Sequence, residues 1–169
     1  MAMEIEYRFL LAAMPDLGDA VPTSIVQGYL STDPDRTVRI RRIGDQAKLT
    51  VKGRKVGAAA PEFEYDIPVP DAEKMLAFCG ADNTISKDRY VWNGEDGLTW
   101  EVDRFKDRHE GLYVAELEVP SLDTPFLKPA WLKAVDITTD MRFANAALTK
   151  ITRAELLANI ADVLKKPGL

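Results

Sequence analysis

Glu4-Ile5-Glu6-Tyr7-Arg8, near the N-terminus, alternates charge with apolar bulk at every step. In an extended strand successive side chains point to opposite faces. Glu4, Glu6 and Arg8 therefore share one side, and Ile5, Tyr7 and Phe9 the other. The same alternation returns in Val38-Arg39-Ile40-Arg41, Lys48-Leu49-Thr50-Val51-Lys52 and Glu62-Phe63-Glu64-Tyr65. It returns again in Lys87-Asp88-Arg89-Tyr90, Glu101-Val102-Asp103 and Glu116-Leu117-Glu118. Some strands carry carboxylates and others cations, as a site for a metal bound to a polyanion requires.

Turn residues divide the chain around these segments. Strands are expected at about Met3–Ala12, Ser24–Ser31, Val38–Ile43, Ala47–Lys52, Glu62–Ile67, Thr84–Trp92, Leu98–Phe105 and Leu112–Val119. Gly44-Asp45 and Asn93-Gly94 with Gly97 mark hairpins. Asp71 is expected to cap a helix ending near Gly80. Beyond Pro120 helices are expected to open at Thr124-Pro125 and Thr139, and Thr152 with Glu155 is a capping-box pattern before a helix over Arg153–Lys165. The fold class is mainly β (α+β), and residues 1–169 read as one domain.

Composition narrows the function. The chain has 169 residues, 46% hydrophobic and 29% charged, with a net charge of −5, which disfavours nucleic-acid binding through bulk charge. No apolar run is long enough to span a bilayer and no secretory leader is evident, so no membrane partner and a cytoplasmic location are expected. Cys79 and His109 are the sole cysteine and histidine, which excludes an internal disulfide and a zinc cluster. His109 is expected in a solvent-exposed loop, Cys79 in an apolar stretch, and Trp92, Trp100 and Trp131 in packing roles.

Strands so evenly spaced suggest an antiparallel barrel or sandwich. On one reading the charges face water while Ile5, Tyr7, Val38, Ile40, Leu49, Val51, Phe63, Tyr65, Val102 and Leu117 fill a core. On the other, the charges line the inside of a barrel whose apolar outside is covered by the helices after residue 120. Like charges at i and i+2 on one face repel, so the second reading requires opposite charge between them.

At these residues the chain resembles the CYTH domain, or triphosphate tunnel metalloenzyme, family. The family's E-x-E-x-K signature is matched by Glu4, Glu6 and Arg8, with arginine in place of lysine. R-x-R is Arg39-Ile40-Arg41, and L-T-x-K-G is Leu49-Thr50-Val51-Lys52-Gly53. The paired acids are Glu62 and Glu64, and K-x-R is Lys87-Asp88-Arg89. E-x-D-x-F is Glu101-Val102-Asp103-Arg104-Phe105, E-x-E is Glu116-Leu117-Glu118, and Thr138–Asn145 is similar to the closing segment.

The resemblance implies a closed eight-stranded antiparallel β-barrel, the triphosphate tunnel, with helices packed outside. It implies phosphate binding by Arg8, Arg39, Arg41, Lys52 and Arg89, and Mg²⁺ or Mn²⁺ held by Glu4, Glu6, Asp103, Glu116 and Glu118. It implies Glu62, Glu64 and Glu101 as supporting acids that orient the cations by ion pairing, with metal ligation as the alternative. Hard cations take oxygen ligands, and guanidinium groups grip phosphate oxygens bidentately, which suits these residue types. Lys48 reads as a solvated lysine, and Arg142 either reaches the phosphates or lies on the surface. Tyr29 and Lys87 match a pair associated with the tripolyphosphatase branch and are the implied catalytic residues, a nearby ammonium lowering the phenol's pKa and helping it position or deprotonate an attacking water. The implied substrate is a small-molecule triphosphate, and the implied reaction is hydrolysis of inorganic tripolyphosphate to pyrophosphate and phosphate. The alternatives are an adenylyl cyclase, another triphosphatase such as a thiamine triphosphatase, or a polyphosphate- or nucleotide-binding module without turnover. The oligomeric state is left open.

Overall fold

The alternating segments do form strands, and those strands close on themselves. The structure, a computed structural model, describes residues 3–168. The strands are β1 (Met3–Leu11), β2 (Thr23–Ser31), β3 (Arg36–Ile43), β4 (Gln46–Gly53), β5 (Ala59–Asp66), β6 (Thr84–Asn93), β7 (Thr99–Phe105) and β8 (Tyr113–Glu118). They pair antiparallel in the order β5-β4-β3-β2-β6-β7-β8-β1. The ring is completed by Met3, Glu4 and Ile5 of β1 lying opposite Pro61, Ala60 and Ala59 of β5. A ninth strand, β9 (Ala134–Asp136), pairs with Phe9–Leu11, further along β1.

Two glycines permit local features of this arrangement. Gly44 turns the β3–β4 hairpin at a positive φ of 54°, a conformation that side chains with a Cβ rarely adopt. Gly28 lies beneath helix α1 (Val69–Cys79), where a Cβ would stand 2.8 Å from Cys79 Sγ. Any larger residue would therefore push α1 off β2. The helix starts behind Pro68 without a side-chain cap, so Asp71 lies in the first turn instead of at the cap. There its charge favours the positive end of the helix dipole.

The outward apolar residues are covered by different segments. Phe9, Leu11, Trp100, Val102, Ala115 and Leu117 pack under Phe126, Trp131 and Leu132. The covering chain, residues 120–133, is irregular, so no helix opens at Thr124-Pro125. Its aromatic rings interlock with Trp100, whose centroid is 5.9 Å from Phe126 and 5.7 Å from Trp131. On the other side Ile40, Ala47 and Leu49 pack against Ala72, Met75 and Leu76 of α1. Phe63 and Tyr65 alternate as expected but remain exposed, because nothing covers the outer face of β5 there.

Inside the barrel the character changes along the axis. Two residues on from Arg8, Asp103 and Glu116, in either direction, the same faces carry Leu10, Phe105 and Val114. Two residues before Lys87 stands Ile85. These apolar residues fill one end and pack against Ile137, Phe143, Leu148, Leu156 and Val163. The sealing segment comprises a 3-10 turn at Met141–Phe143, α2 (Asn145–Leu148) and α3 (Arg153–Leu164). Thr152 and Glu155 form the reciprocal capping box. The late helices thus seal an end of the barrel, and the interior is charged over only part of its length.

His109 belongs to this seal. It is buried, and its Nε2 lies 2.8 Å from the Leu148 carbonyl, so it joins the β7–β8 connection to α2 instead of facing solvent. Among the described residues no helix is long and apolar enough to cross a membrane. Trp100→Ala should lower stability by about 3–5 kcal/mol, the usual range for truncating a buried aromatic. Phe78→Ser, at a side chain left 80% exposed, should change it by less than about 0.5 kcal/mol. Urea unfolding of both variants checks the assignment of the outer core.

Candidate active site

Part of the charge inside the barrel is neutralised across the strands, and part is not. Register places Arg8 opposite Glu116, Arg89 opposite Asp103 and Lys52 opposite Glu62. Opposite charge therefore sits beside Glu116, Asp103 and Glu62, as the interior reading requires, whereas Glu6 lies opposite Glu118 and Glu101 opposite Glu116. Arg89 grips Asp103 with two nitrogens, each at 2.7 Å, and Lys87 Nζ reaches the same carboxylate at 2.5 Å. Arg89 also pairs with Glu101 and lies 3.4 Å from Glu116. Lys52 holds Glu4 at 2.5 Å and Glu62 at 2.9 Å, and Arg41 lies 3.3 Å from Glu64.

A cavity of about 550 Å³ opens beside this network. Its walls include Glu4, Glu6, Arg8, Tyr29, Arg39 and Lys52 from the barrel and Asp140, Asn145 and Lys150 from the sealing segment. A second opening, of about 420 Å³, is lined by Glu6, Glu101, Glu116 and Glu118. Glu6 borders both, so a cation-rich chamber meets an acid-rich one at that residue. Arg41, Lys87, Arg89 and Asp103 contribute to neither wall.

Three arginines hold nitrogens in reserve. Arg8 Nη1 donates to the Phe143 carbonyl at 2.7 Å, while its Nη2 is buried without a partner. Arg39 donates from Nη2 to Thr50 Oγ1 at 3.4 Å, and its buried Nε has none. The Nε of Arg41 is likewise buried and unpartnered. A buried donor left without an acceptor costs roughly 1–3 kcal/mol, so these atoms favour an incoming anion.

Several residues stand elsewhere than their sequence roles suggest. Tyr29 and Lys87 do not form a pair. Lys87 lies opposite Ile25, one end of β2 away from Tyr29, and is committed to Asp103. Burial pulls its ammonium down to about 8, against the pull of Asp103. Burial also raises the Tyr29 phenol, outweighing Arg39 and Lys52. The phenol stays protonated, and since Gln27 Nε2 donates to its oxygen at 2.9 Å, its own hydrogen is available to donate. Burial thus raises the phenol, and the expected lowering of its pKa is overturned.

Asp103 is fully buried, and both its oxygens are engaged by Arg89 and Lys87, so in this structure it anchors those two cations. Lys48 is half-buried and paired with Glu64 and Asp66 at 3.1 and 3.2 Å. Arg142 turns away, onto Asp140 and Asp162. Sequence reading missed Lys55, Asn145 and Gln27. Lys55 and Asn145 lie outside regular strand alternation, and Gln27 is an uncharged residue in an otherwise apolar inner row.

The acids facing the second opening are strained by one another. Burial, then Glu116 and Glu4, push the Glu6 carboxyl well above the usual carboxylate range. Partial burial, then Glu4, Glu62 and Glu101, raise Glu118. Burial would raise Glu116 too, but Arg89, Lys87 and Arg8 hold it well below the ordinary value. Among the described residues no three such side chains converge into a ready-made metal-binding group. Even so, Glu4, Glu6 and Glu118 are hard oxygen donors whose mutual repulsion a divalent cation would relieve, so the donor set fits Mg²⁺ or Mn²⁺.

Comparison with known proteins agrees with this geometry. The model of the CYTH domain matches residues 2–154. The inorganic triphosphatase of Acetivibrio thermocellus is 39% identical over 150 residues, 89% of this chain and 95% of that protein. The crystal structure of the inorganic triphosphatase NE1496 superposes with a TM-score of 0.62 at 32% identity, covering 88% of this chain and 95% of the other. The PH1012 protein from Pyrococcus horikoshii shares the fold at 17% identity, with a TM-score of 0.51 over 71% of this chain and 80% of the other.

The contrast between anchored and repelled acids is measurable. Asp103→Asn leaves Lys87 and Arg89 short of a buried counter-charge and should lose about 3–5 kcal/mol. Glu118→Gln should be no less stable than wild type at pH 7. A carboxyl whose pKa is raised on folding destabilises the folded state above that pKa. The penalty fades as pH falls from the folded to the unfolded value. Any gain from Glu118→Gln should therefore shrink between neutral pH and the ordinary carboxylate range, as urea unfolding at several pH values will reveal.

Proposed function

The chain belongs to the CYTH-domain family, and on that footing we propose that it hydrolyses inorganic tripolyphosphate to pyrophosphate and phosphate, using Mg²⁺ or Mn²⁺. The observation that carries this reading is a pair of arginines, Arg8 and Arg39, that line one cavity and each keep a buried nitrogen without a partner. They are fixed donors with a full positive charge behind them, set where a polyanion enters. A volume of about 550 Å³ suits a small-molecule ligand.

The residues divide the work by charge. Arg8, Arg39 and Lys52 bind phosphate oxygens in the chamber, and Tyr29 donates its hydroxyl hydrogen to one of them. Arg41 adds positive potential from behind, while Glu62 and Glu64 hold Lys52 and Arg41 in place. Lys87 and Arg89, locked to Asp103, keep Glu116 ionised. Glu4, Glu6 and Glu118 would hold the metal, which when bound polarises a phosphoryl oxygen and lowers the pKa of a bound water. Preorganised cations of this kind stabilise the charge that builds on the departing pyrophosphate without reorganising during the reaction. Arg8 presents a planar fork where the family signature has lysine, and one arm of the fork is already fixed on Phe143. The other arm is free to meet phosphate.

Phosphate release from tripolyphosphate should require Mg²⁺ or Mn²⁺ and stop in excess chelator. Arg39→Ala should lose roughly tenfold to a hundredfold in kcat/KM, the worth of one charge-assisted contact. Cyclic AMP formed from ATP without phosphate release from tripolyphosphate would identify a cyclase instead. Binding of tripolyphosphate without turnover would identify a sensor.

A further inference from the structure

One cation in the chamber is committed to nothing. Lys55 lies between β4 and β5, is half-buried, and lines the cavity with Glu4, Glu6, Arg8 and Lys52. It makes no ion pair or side-chain hydrogen bond among the described residues. Each other cation in the same wall is engaged. Arg8 donates to Phe143, Arg39 to Thr50, Lys52 to Glu4, Arg54 to Asp35 and Lys150 to Asn83.

The backbone fixes where Lys55 points. On its C-terminal side Val56 and Ala59 exchange both hydrogen bonds, at 2.8 and 3.1 Å, around a turn in which Gly57 takes a positive φ of 59°. On its N-terminal side Gly53 ends β4 in register with Arg36. The segment is therefore held at both ends, and its two basic side chains differ in what holds them. Both border the cavity, but Arg54 is paired with Asp35 and 70% exposed, whereas Lys55 is half-buried and unpaired among the described residues. Burial lowers the Lys55 ammonium, and Glu6 and Glu4 offset Arg8 and Lys52 around it. A polyanion in the chamber supplies the counter-charge that this lysine lacks.

We propose that Lys55 is a further phosphate-binding residue, supplied by the β4–β5 turn at the Glu4–Glu6 side of the chamber; this rests on the tripolyphosphate reading above. An ammonium is a point charge on a flexible stem and rewards total negative charge more than a particular orientation. Its contact is made to bound substrate and transition state alike, so it acts on KM and not on kcat.

The test compares Lys55→Met, Lys55→Arg and Arg36→Ala with wild type; Arg36 lies opposite Gly53, is 79% exposed and is not part of the cavity wall. Two readouts are used: steady-state kinetics on tripolyphosphate, and calorimetric binding, with Mg²⁺ present, of a tripolyphosphate analogue whose bridging oxygens are replaced by imido groups. Lys55→Met should raise both KM and Kd about tenfold, with kcat within about twofold of wild type. Lys55→Arg should recover most of the loss, and Arg36→Ala should match wild type. Unchanged KM and Kd in Lys55→Met would overturn the proposal and leave the hydrolase reading standing. So would an equal loss in Arg36→Ala, since any nearby positive charge would then serve. Wild-type protein that binds the analogue without turning over tripolyphosphate would sink the hydrolase reading, with the Kd comparison still deciding Lys55. Wild-type protein that does not bind would overturn both.

Discussion

Charge buried inside a closed sheet must be neutralised within the sheet, and the Lys87–Asp103–Arg89 cluster is where this chain meets that demand most completely. Asp103 has no exposure at all, yet both of its oxygens are satisfied by cations from the neighbouring strand. The cluster also sets the state of Glu116, which borders the acid-rich opening. Removing one member would leave its partners charged and dry, which is why buried ion pairs are far harder to break than to do without. The cations nearest the chamber are balanced less completely. Arg8 and Arg39 keep buried nitrogens without partners, and Lys55 has none. The barrel is thus neutralised at its middle and left hungry for an anion at one side.

Such an interior is tolerable only because apolar burial is arranged elsewhere. The outer faces of β1, β7 and β8 are roofed by Phe126, Trp131 and Leu132, and α1 roofs β3 and β4. The far end of the interior reverts to an apolar core closed by α2 and α3. Arg8 touches both worlds, since its Nη1 is bonded to the carbonyl of Phe143, whose ring lies in that core. The sealing segment therefore orients a residue of the chamber as well as stabilising the fold.

Much of this was legible in the sequence, and the reason is periodicity. Alternation of charge with apolar bulk identifies seven of the eight barrel strands, the uncharged β2 being legible only from its turns, and the ordered motifs Glu4/Glu6, Arg39/Arg41 and Glu116/Glu118 place them in one structure. What escaped was set by contacts between distant parts of the chain. β9 is three residues long and exists because β1 offers it an edge, and residues 120–133 follow the barrel surface without a repeating pattern. His109 looks like a loop histidine until Leu148 is packed beside it. Tyr29 and Lys87 share the interior face of adjacent strands, but strand register, invisible in composition, sets Lys87 against Ile25. Lys55 belongs to no strand pattern and was visible only once the turn that aims it was known.

The central claim is that the unpartnered arginine nitrogens of the chamber receive phosphate while the repelled acids beside it receive metal. A crystal structure with the imido-bridged triphosphate analogue and Mn²⁺ tests both halves at once, because manganese is located by its anomalous scattering. The account predicts phosphate oxygens within hydrogen-bonding distance of Arg8 Nη2 and Arg39 Nε, and a manganese peak among Glu4, Glu6 and Glu118. An analogue bound outside the barrel, or manganese coordinated away from those three glutamates, would contradict it.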